Sequence, residues 1–339
     1  MPASLSPATL AQLLRGMLRI RAFEDAAEAA SQGGVSAYGQ SAGTSAQVRG
    51  PLHLSTGQEA VPVGVCAHLR PGDYLTSTHR GHGHTLAKGA DLSRMMAELF
   101  GKATGFNGGK GGSMHIADFS VGMLGANGVV AAGLPIAVGA AHGAKLQGKD
   151  GVTACFFGDG AINRGPFLES LNWAKVYALP VLFVCEDNRW SATTASAPMT
   201  AGEGASARAV AMGVPATQVD GNDVEAVYAA AEQLVAQLRA GGGPCLLHAH
   251  TYRIKGHVSV DAAAYRDPAE LAAARETDPI ARACARYLAL GGSALELQRI
   301  EQGARDEVAR ALKEAAAAPW PAPEQAYTDV QTTGAGQWY

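Results

Sequence analysis

From about residue 129 to residue 249 the chain alternates between helix-length segments and short apolar runs, and this alternation restricts the fold more than any other feature of its 339 residues. A helix expected at about 129–146 precedes the run at 152–157, Val-Thr-Ala-Cys-Phe-Phe. A helix at about 165–178 precedes Val181-Leu182-Phe183-Val184-Cys185. A short strand near 214–219 leads into a helix at 223–239, and Cys245-Leu246-Leu247-His248-Ala249 closes the series. Short runs that are apolar at consecutive positions bury both faces. Strands joined through helices are crossovers, so they lie parallel. The pattern predicts an α/β fold, a parallel sheet with helices on both faces.

The flanking segments fit one domain. Ser6-Pro7 starts a helix that carries Leu10, Leu13, Leu14, Met17 and Leu18 at helical spacing and stops at Gly33-Gly34. Residues 33–50, rich in Gly, Ser and Ala, are expected to be a flexible loop. Thr56-Gly57-Gln58-Glu59 has the spacing of a capping box before an apolar helix. Asp91 caps a short helix at 91–101, residues 253–268 form a polar loop, and helical sequence continues to about 318. The division is thus a single domain, 1–318, and an extended tail, 319–339, too rich in Pro and Gly to build a core.

Composition excludes several classes of function. Hydrophobic residues are 47% and charged residues 17%, with a net charge of −3. No basic field calls for nucleic acid or an anionic membrane. The five cysteines, Cys66, Cys155, Cys185, Cys245 and Cys284, form no C-x-x-C pair. They read as reduced core thiols, and with no signal peptide at the start they predict a cytoplasmic protein.

The strand at 152–157 ends in Gly158-Asp159-Gly160. Ligands of an open parallel sheet bind at the carboxyl ends of its strands, and glycines there let backbone approach an anion. A carboxylate repels phosphate unless a divalent cation lies between them. The next strand ends in Glu186-Asp187-Asn188, and adjacent parallel strands would bring Asp159 beside Asn188. Such oxygen ligands suit Mg²⁺ or Ca²⁺. A dinucleotide fingerprint is ruled out by Asn163 where a third glycine belongs, and a Walker loop by Thr104 and Gly111 around Gly109-Lys110. His79, His82 and His84 lie close in sequence, but with no Cys nearby a zinc site is not expected among them.

The span from Gly158-Asp159-Gly160 to Asp187-Asn188 resembles the thiamine-diphosphate signature, with Asp187 in place of the first of two asparagines. LHLSTGQEA (52–60), TSTHRGHGH (76–84), GGKGGSMHIAD (108–118), LGANGVV (124–130) and TYRIKGHVS (251–259) extend the likeness over about residues 10–285. Together they resemble the alpha subunit of the thiamine-dependent first component of 2-oxo acid dehydrogenase complexes. STHRGHGH with GGSMHIAD is most similar to its acetoin dehydrogenase branch.

The resemblance implies the diphosphate-side fold of thiamine enzymes and a set of residue roles. Asp159, Asn188 and the Trp190 carbonyl would hold Mg²⁺ or Ca²⁺. Gly160 and Ala161 amides would contact the diphosphate, with Arg80 and Arg253 clamping it and His79 and His257 close by. Gly128 and Val130 would face the aminopyrimidine, and His53, His82 and His257 would line the catalytic centre. The cofactor supplies a thiazolium carbon that attacks a carbonyl and stabilises the charge left by C–C cleavage. The glutamate that activates it belongs, in this family, to a separate beta subunit. The resemblance therefore implies an α2β2 heterotetramer serving a lipoyl acyltransferase. It implies acetoin as substrate, with pyruvate or a branched-chain 2-oxo acid as the alternative.

Overall fold

A computed structural model describes residues 5–329 apart from 33–34, 38–39, 42–45 and 49. Six parallel strands form its central sheet: β1 (Tyr74–Thr76), β2 (Met123–Gly125), β3 (Thr153–Gly158), β4 (Val181–Asp187), β5 (Ala216–Asp220) and β6 (Cys245–His250), in the order β2-β1-β3-β4-β6-β5. The three long apolar runs of the sequence are β3, β4 and β6, and they occupy the centre. β1 and β2 have three residues each, too few to show a period, and sequence reasoning did not find them.

Alternation along the central strands divides the core into two layers. Ala154, Phe156, Leu182, Val184 and Leu247 face one side. There they meet helices α1 (Pro7–Ser31), α2 (Ala60–Cys66), α4 (Leu92–Leu99), α8 (Val224–Arg239), α10 (Pro279–Ala289) and α11 (Ala294–Ala317). Cys155, Phe157, Phe183, Cys185 and Leu246 face the other side, against α5 (Gly133–Leu146), α6 (Gly165–Val176) and α7 (Gly204–Ala211). The two remaining helices are α3 (His82–Ala87) and α9 (Pro268–Glu276). Both faces of the sheet are covered, as the continuous apolar runs require.

Local signals hold at two helix starts and fail at a third. The Ser6 hydroxyl caps α1 by accepting from the Thr9 amide at 3.1 Å, and Asp91 caps α4 by accepting from the Arg94 amide at 2.7 Å. The capping box at 56–59 does not form: Thr56 Oγ1 has no partner and α2 begins without a side-chain cap. Glu59 instead forms an ion pair with Arg21 and accepts from the Gly57 amide at 3.0 Å. A guanidinium is the stronger partner for a buried carboxylate than the amide of a helix start.

Within the expected loop at 33–50, Val35–Ala37 and Gln40–Ser41 pair as a small antiparallel ladder; its remaining turn residues lie outside the described residues. The tail is expected to be either without fixed structure or docked on a partner, but as far as Asp329 it lies on its own chain. The Pro319 carbonyl accepts from the Ala103 amide at 3.0 Å, Lys102 sits 3.9 Å from the Trp320 ring centre, and Lys110 pairs with Asp329 at 2.8 Å. Residues 330–339 lie outside the described residues. All five cysteines are free thiols. Among the described residues no helix is long and apolar enough to cross a membrane.

Candidate active site

Gly158 at the end of β3 lies in register with Glu186 on β4, so Asp159 and Asp187-Asn188 leave the sheet side by side. Between β3 and α6 runs a 3₁₀ turn, Asp159–Asn163. Gly160 is required there, because a Cβ would strike the Ser191 hydroxyl. Asp159 is buried, and burial together with the neighbouring charge of Asp187 pushes its carboxyl up to about 6, against a hydrogen bond from the Ser196 hydroxyl. A carboxylate held at that cost is one that a cation would stabilise. Asn188 Nδ2 donates to Gln58 Oε1 at 2.9 Å, and Asn188 Oδ1 accepts from the Trp190 amide at 3.1 Å. Gln58, which fixes the orientation of that amide, was not found from the sequence; it lay unremarked inside the expected capping box.

These residues line one cavity at the carboxyl end of the sheet. Gln58, His79, Arg80, Val130, Asp159, Gly160, Ala161, Asn188, Trp190 and Arg253 all reach it. Gly128 stands on the same 127–131 segment but does not line the cavity; it is exposed, beside the His115 ring. The helix expected from 129 begins at Gly133, which leaves that segment free to form one wall.

Three guanidinium groups stand buried on one side. Among the described residues Arg253 is the largest fully buried side chain. It donates to the Ala192 carbonyl at 2.7 Å, and its Nε has no partner. Arg80 donates to the Leu54 carbonyl at 2.5 Å and to the His257 carbonyl at 3.2 Å. Arg266 donates to the Arg253 carbonyl at 2.6 Å, while its Nε and Nη2 are buried without partners. No carboxylate forms an ion pair with any of the three among the described residues. Burial and the charge of Arg253 bring Arg80 down to about 9; burial and the charge of Arg266 lower Arg253. Unpaired buried cations are costly, and a multiply charged anion is the partner that removes the cost. Arg266 was missed because the polar loop that contains it carries no periodic signal.

Beside the cavity, which His79 lines, three histidines converge. The ring centres of His53 and His79 are 4.6 Å apart, those of His53 and His257 are 4.8 Å apart, and those of His79 and His257 are 5.5 Å apart. Burial, then the nearby cations, lower all three: His79 to about 3, His257 to about 4 and His53 further still. They are neutral imidazoles at physiological pH. His82 stands apart, fully buried, with Nδ1 2.9 Å from Glu24 Oε2 and Nε2 3.0 Å from Ser113 Oγ. His84, which sequence reasoning gave no role, bridges Ser77 Oγ at 2.6 Å and Glu186 Oε2 at 3.0 Å.

The dehydrogenase E1 component family matches residues 39–324. The chain belongs to that family. Among its relatives, the alpha subunit of acetoin:2,6-dichlorophenolindophenol oxidoreductase from Bacillus subtilis is 45% identical over 314 residues, covering 93% of this chain and 91% of the relative. The subunit of the same name from Cupriavidus necator is 45% identical over 285 residues, covering 84% and 86%. The alpha subunit of the pyruvate dehydrogenase E1 component from Rhizobium meliloti is 39% identical over 318 residues, covering 93% and 88%.

An E1 component depends on thiamine diphosphate, and the cavity fits that group. The unpartnered Nε of Arg253, a residue that lines the cavity, calls for an anion, and Asp159 with Asn188 offers the hard oxygen ligands of a cation that could bridge to it.

Proposed function

We propose that this E1 chain is the alpha subunit of an acetoin dehydrogenase, which cleaves acetoin to acetaldehyde and an acyl unit passed to lipoamide. The observation that carries the choice of substrate is the neutral trio His53, His79 and His257, whose neighbouring cations Arg80 and Arg253 are taken up by the diphosphate in this reading. A 2-oxo acid would bring a carboxylate that these imidazoles cannot neutralise, whereas acetoin carries no charge. The names of the relatives at 45% identity support the same reading. The second reading, a pyruvate or branched-chain 2-oxo acid enzyme, draws on the 39% identity to a pyruvate dehydrogenase alpha subunit.

In this reading Asp159, Asn188 and the Trp190 carbonyl hold Mg²⁺ or Ca²⁺. Arg80 and Arg253 clamp the diphosphate, Gly160 and Ala161 present backbone to it, and His79 lies close by. Gly128 and Val130 border the aminopyrimidine. Thiamine diphosphate supplies the carbon nucleophile. His53 and His257, neutral and partly unpartnered at Nδ1, exchange protons with substrate oxygen. His82 acts by position: with Glu24 and Ser113 it fixes the start of α3 behind the wall. A beta subunit completes the catalytic centre in an α2β2 assembly that serves a lipoyl acyltransferase in the cytoplasm.

The test compares kcat/KM for acetoin, pyruvate and branched 2-oxo acids in the reconstituted α/β enzyme. Acetoin is expected to be preferred, and His257→Ala to lower turnover ~10²-fold while cofactor affinity stays within a few-fold. Preference for a 2-oxo acid would move the chain to the second reading and leave the cofactor site intact.

A further inference from the structure

A second cluster stands at the carboxyl end of the sheet, outside the cofactor cradle. His248 and His250 are alternate residues of β6 and project to the same face. The register of β6 against β4 places His250 opposite Asp187. His248 Nε2 lies 3.0 Å and His250 Nδ1 3.5 Å from the same oxygen, Asp187 Oδ2. The second nitrogen of each ring is also held: His248 Nδ1 is 3.0 Å from Ser206 Oγ, and His250 Nε2 is 3.0 Å from Gln218 Oε1. An amide oxygen only accepts, so Gln218 keeps the proton of His250 on Nε2 and turns the lone pair of Nδ1 toward the carboxylate. A second proton on the imidazole or a metal ion must lie between these two electron-pair donors, and the ligand set here suits the metal.

The spacing suits a particular class of cation. Ligands about 2.0–2.2 Å from a tetrahedral Zn²⁺ stand ~3.3–3.5 Å from one another. Two imidazoles and one carboxylate select zinc-like transition metals over Mg²⁺ or Ca²⁺. Ser206 and Gln218 provide the outer hydrogen bonds that orient metal-bound histidines. The three groups border a surface cavity lined also by Asp159, Glu203 and Glu270 against Arg189, so the surrounding charge favours a cation and solvent can reach a fourth position. The trio His53, His79 and His257 also brings three ligand atoms within 4.8 Å of one another. It stands beside the unpaired charges of Arg80 and Arg253, which repel a dication.

We propose that Asp187, His248 and His250 bind a zinc-class divalent ion with an open fourth position. Such an ion ties the end of β4, which leads into Asn188, to the end of β6.

The full-length chain, stripped by a chelator and then saturated with Mg²⁺ and thiamine diphosphate, is titrated with Zn²⁺ by calorimetry and with Co²⁺ by visible absorption. One equivalent is expected, with the intense Co²⁺ bands of a tetrahedral site. His250→Gln, at a half-exposed position, should weaken Zn²⁺ ~10²-fold or more, and Ser206→Ala, which leaves every ligand in place, ~10-fold. Near-ultraviolet circular dichroism checks that both variants are folded. The proposal is overturned if wild type binds no equivalent, or if His250→Gln and Asp187→Asn bind Zn²⁺ as wild type does. It is also overturned if His53→Ala removes the bound ion while His250→Gln keeps it, since the ion then sits in the other histidine cluster.

Discussion

Arg253 shows what a single residue does in this site. It is 1% exposed, makes one hydrogen bond to a carbonyl and has no carboxylate partner among the described residues. Without an anion this arrangement destabilises the fold, and with one it supplies charge-assisted hydrogen bonds. Arg253→Met should therefore act in opposite directions on two measurements. Thermal unfolding of the cofactor-free chain should shift upward or stay level, because a buried charge is replaced by an apolar group of similar length. Thiamine diphosphate affinity should fall ~10–100-fold, the scale of hydrogen bonds to a charged group, by calorimetry in the reconstituted enzyme. A large drop in cofactor-free stability with unchanged affinity would make Arg253 a structural residue. Its place in TYRIKGHVS made Arg253 legible in the sequence. Arg266 was not, because only the folded loop carries it under Trp190 and against the Arg253 carbonyl.

At the scale of elements, α4 organises the glycine-rich segment that follows it. Glu98, fully buried on that helix, accepts from the amides of Asn107 at 2.8 Å, Gly109 at 2.9 Å, Gly111 at 2.7 Å and Gly112 at 3.0 Å. Gly109 has a φ of +78°, and a Cβ there would strike the Gly101 backbone, so the loop closes only with glycine. A carboxylate accepts all four amides; a carboxamide presents an N–H to two of them. Glu98→Gln should cost about 2–3 kcal/mol in denaturant unfolding, the penalty of buried donors left unpaired. Amide exchange should speed up at 107–112 before it does in the sheet. Unchanged protection there would mean that the loop is held by something else. The sequence showed the glycines and the Asp91 cap, but nothing in it joined Glu98 to amides 9–14 positions away.

At the scale of the molecule, the surface offers a large apolar face on α5 and α6. Leu146, Val176, Ile136, Trp173 and Tyr177 are exposed there, beside a groove bordered by Gly139, Gly143 and Trp173. Apolar surface of this extent marks contact with another chain. The described part of the tail lies elsewhere, against Lys102, Ala103 and Lys110. In the α2β2 assembly proposed above, this face is expected to be buried. The alpha chain alone should show no turnover. Trp173→Glu should lower the mass of the co-expressed complex in light scattering while leaving the circular dichroism of the isolated chain unchanged. A variant that still assembles fully would place the subunit contact elsewhere.

The sheet class, its parallel sense, the succession α5, β3, α6, β4, β5, α8, β6 and the side-by-side exit of Asp159 and Asn188 were legible in the sequence; α7 between β4 and β5 was not. The legible features follow from local period and from the rule that adjacent parallel strands end side by side. The short strands β1 and β2, the partner of Glu59, the burial of Arg266, and the meeting of Asp187 with His248 and His250 were not. Each depends on residues far apart in the chain, such as Arg21 with Glu59 or β6 registered against β4. A local pattern states which face of an element is apolar. The register and approach of distant elements, set by packing of the whole core, state which polar groups on them meet.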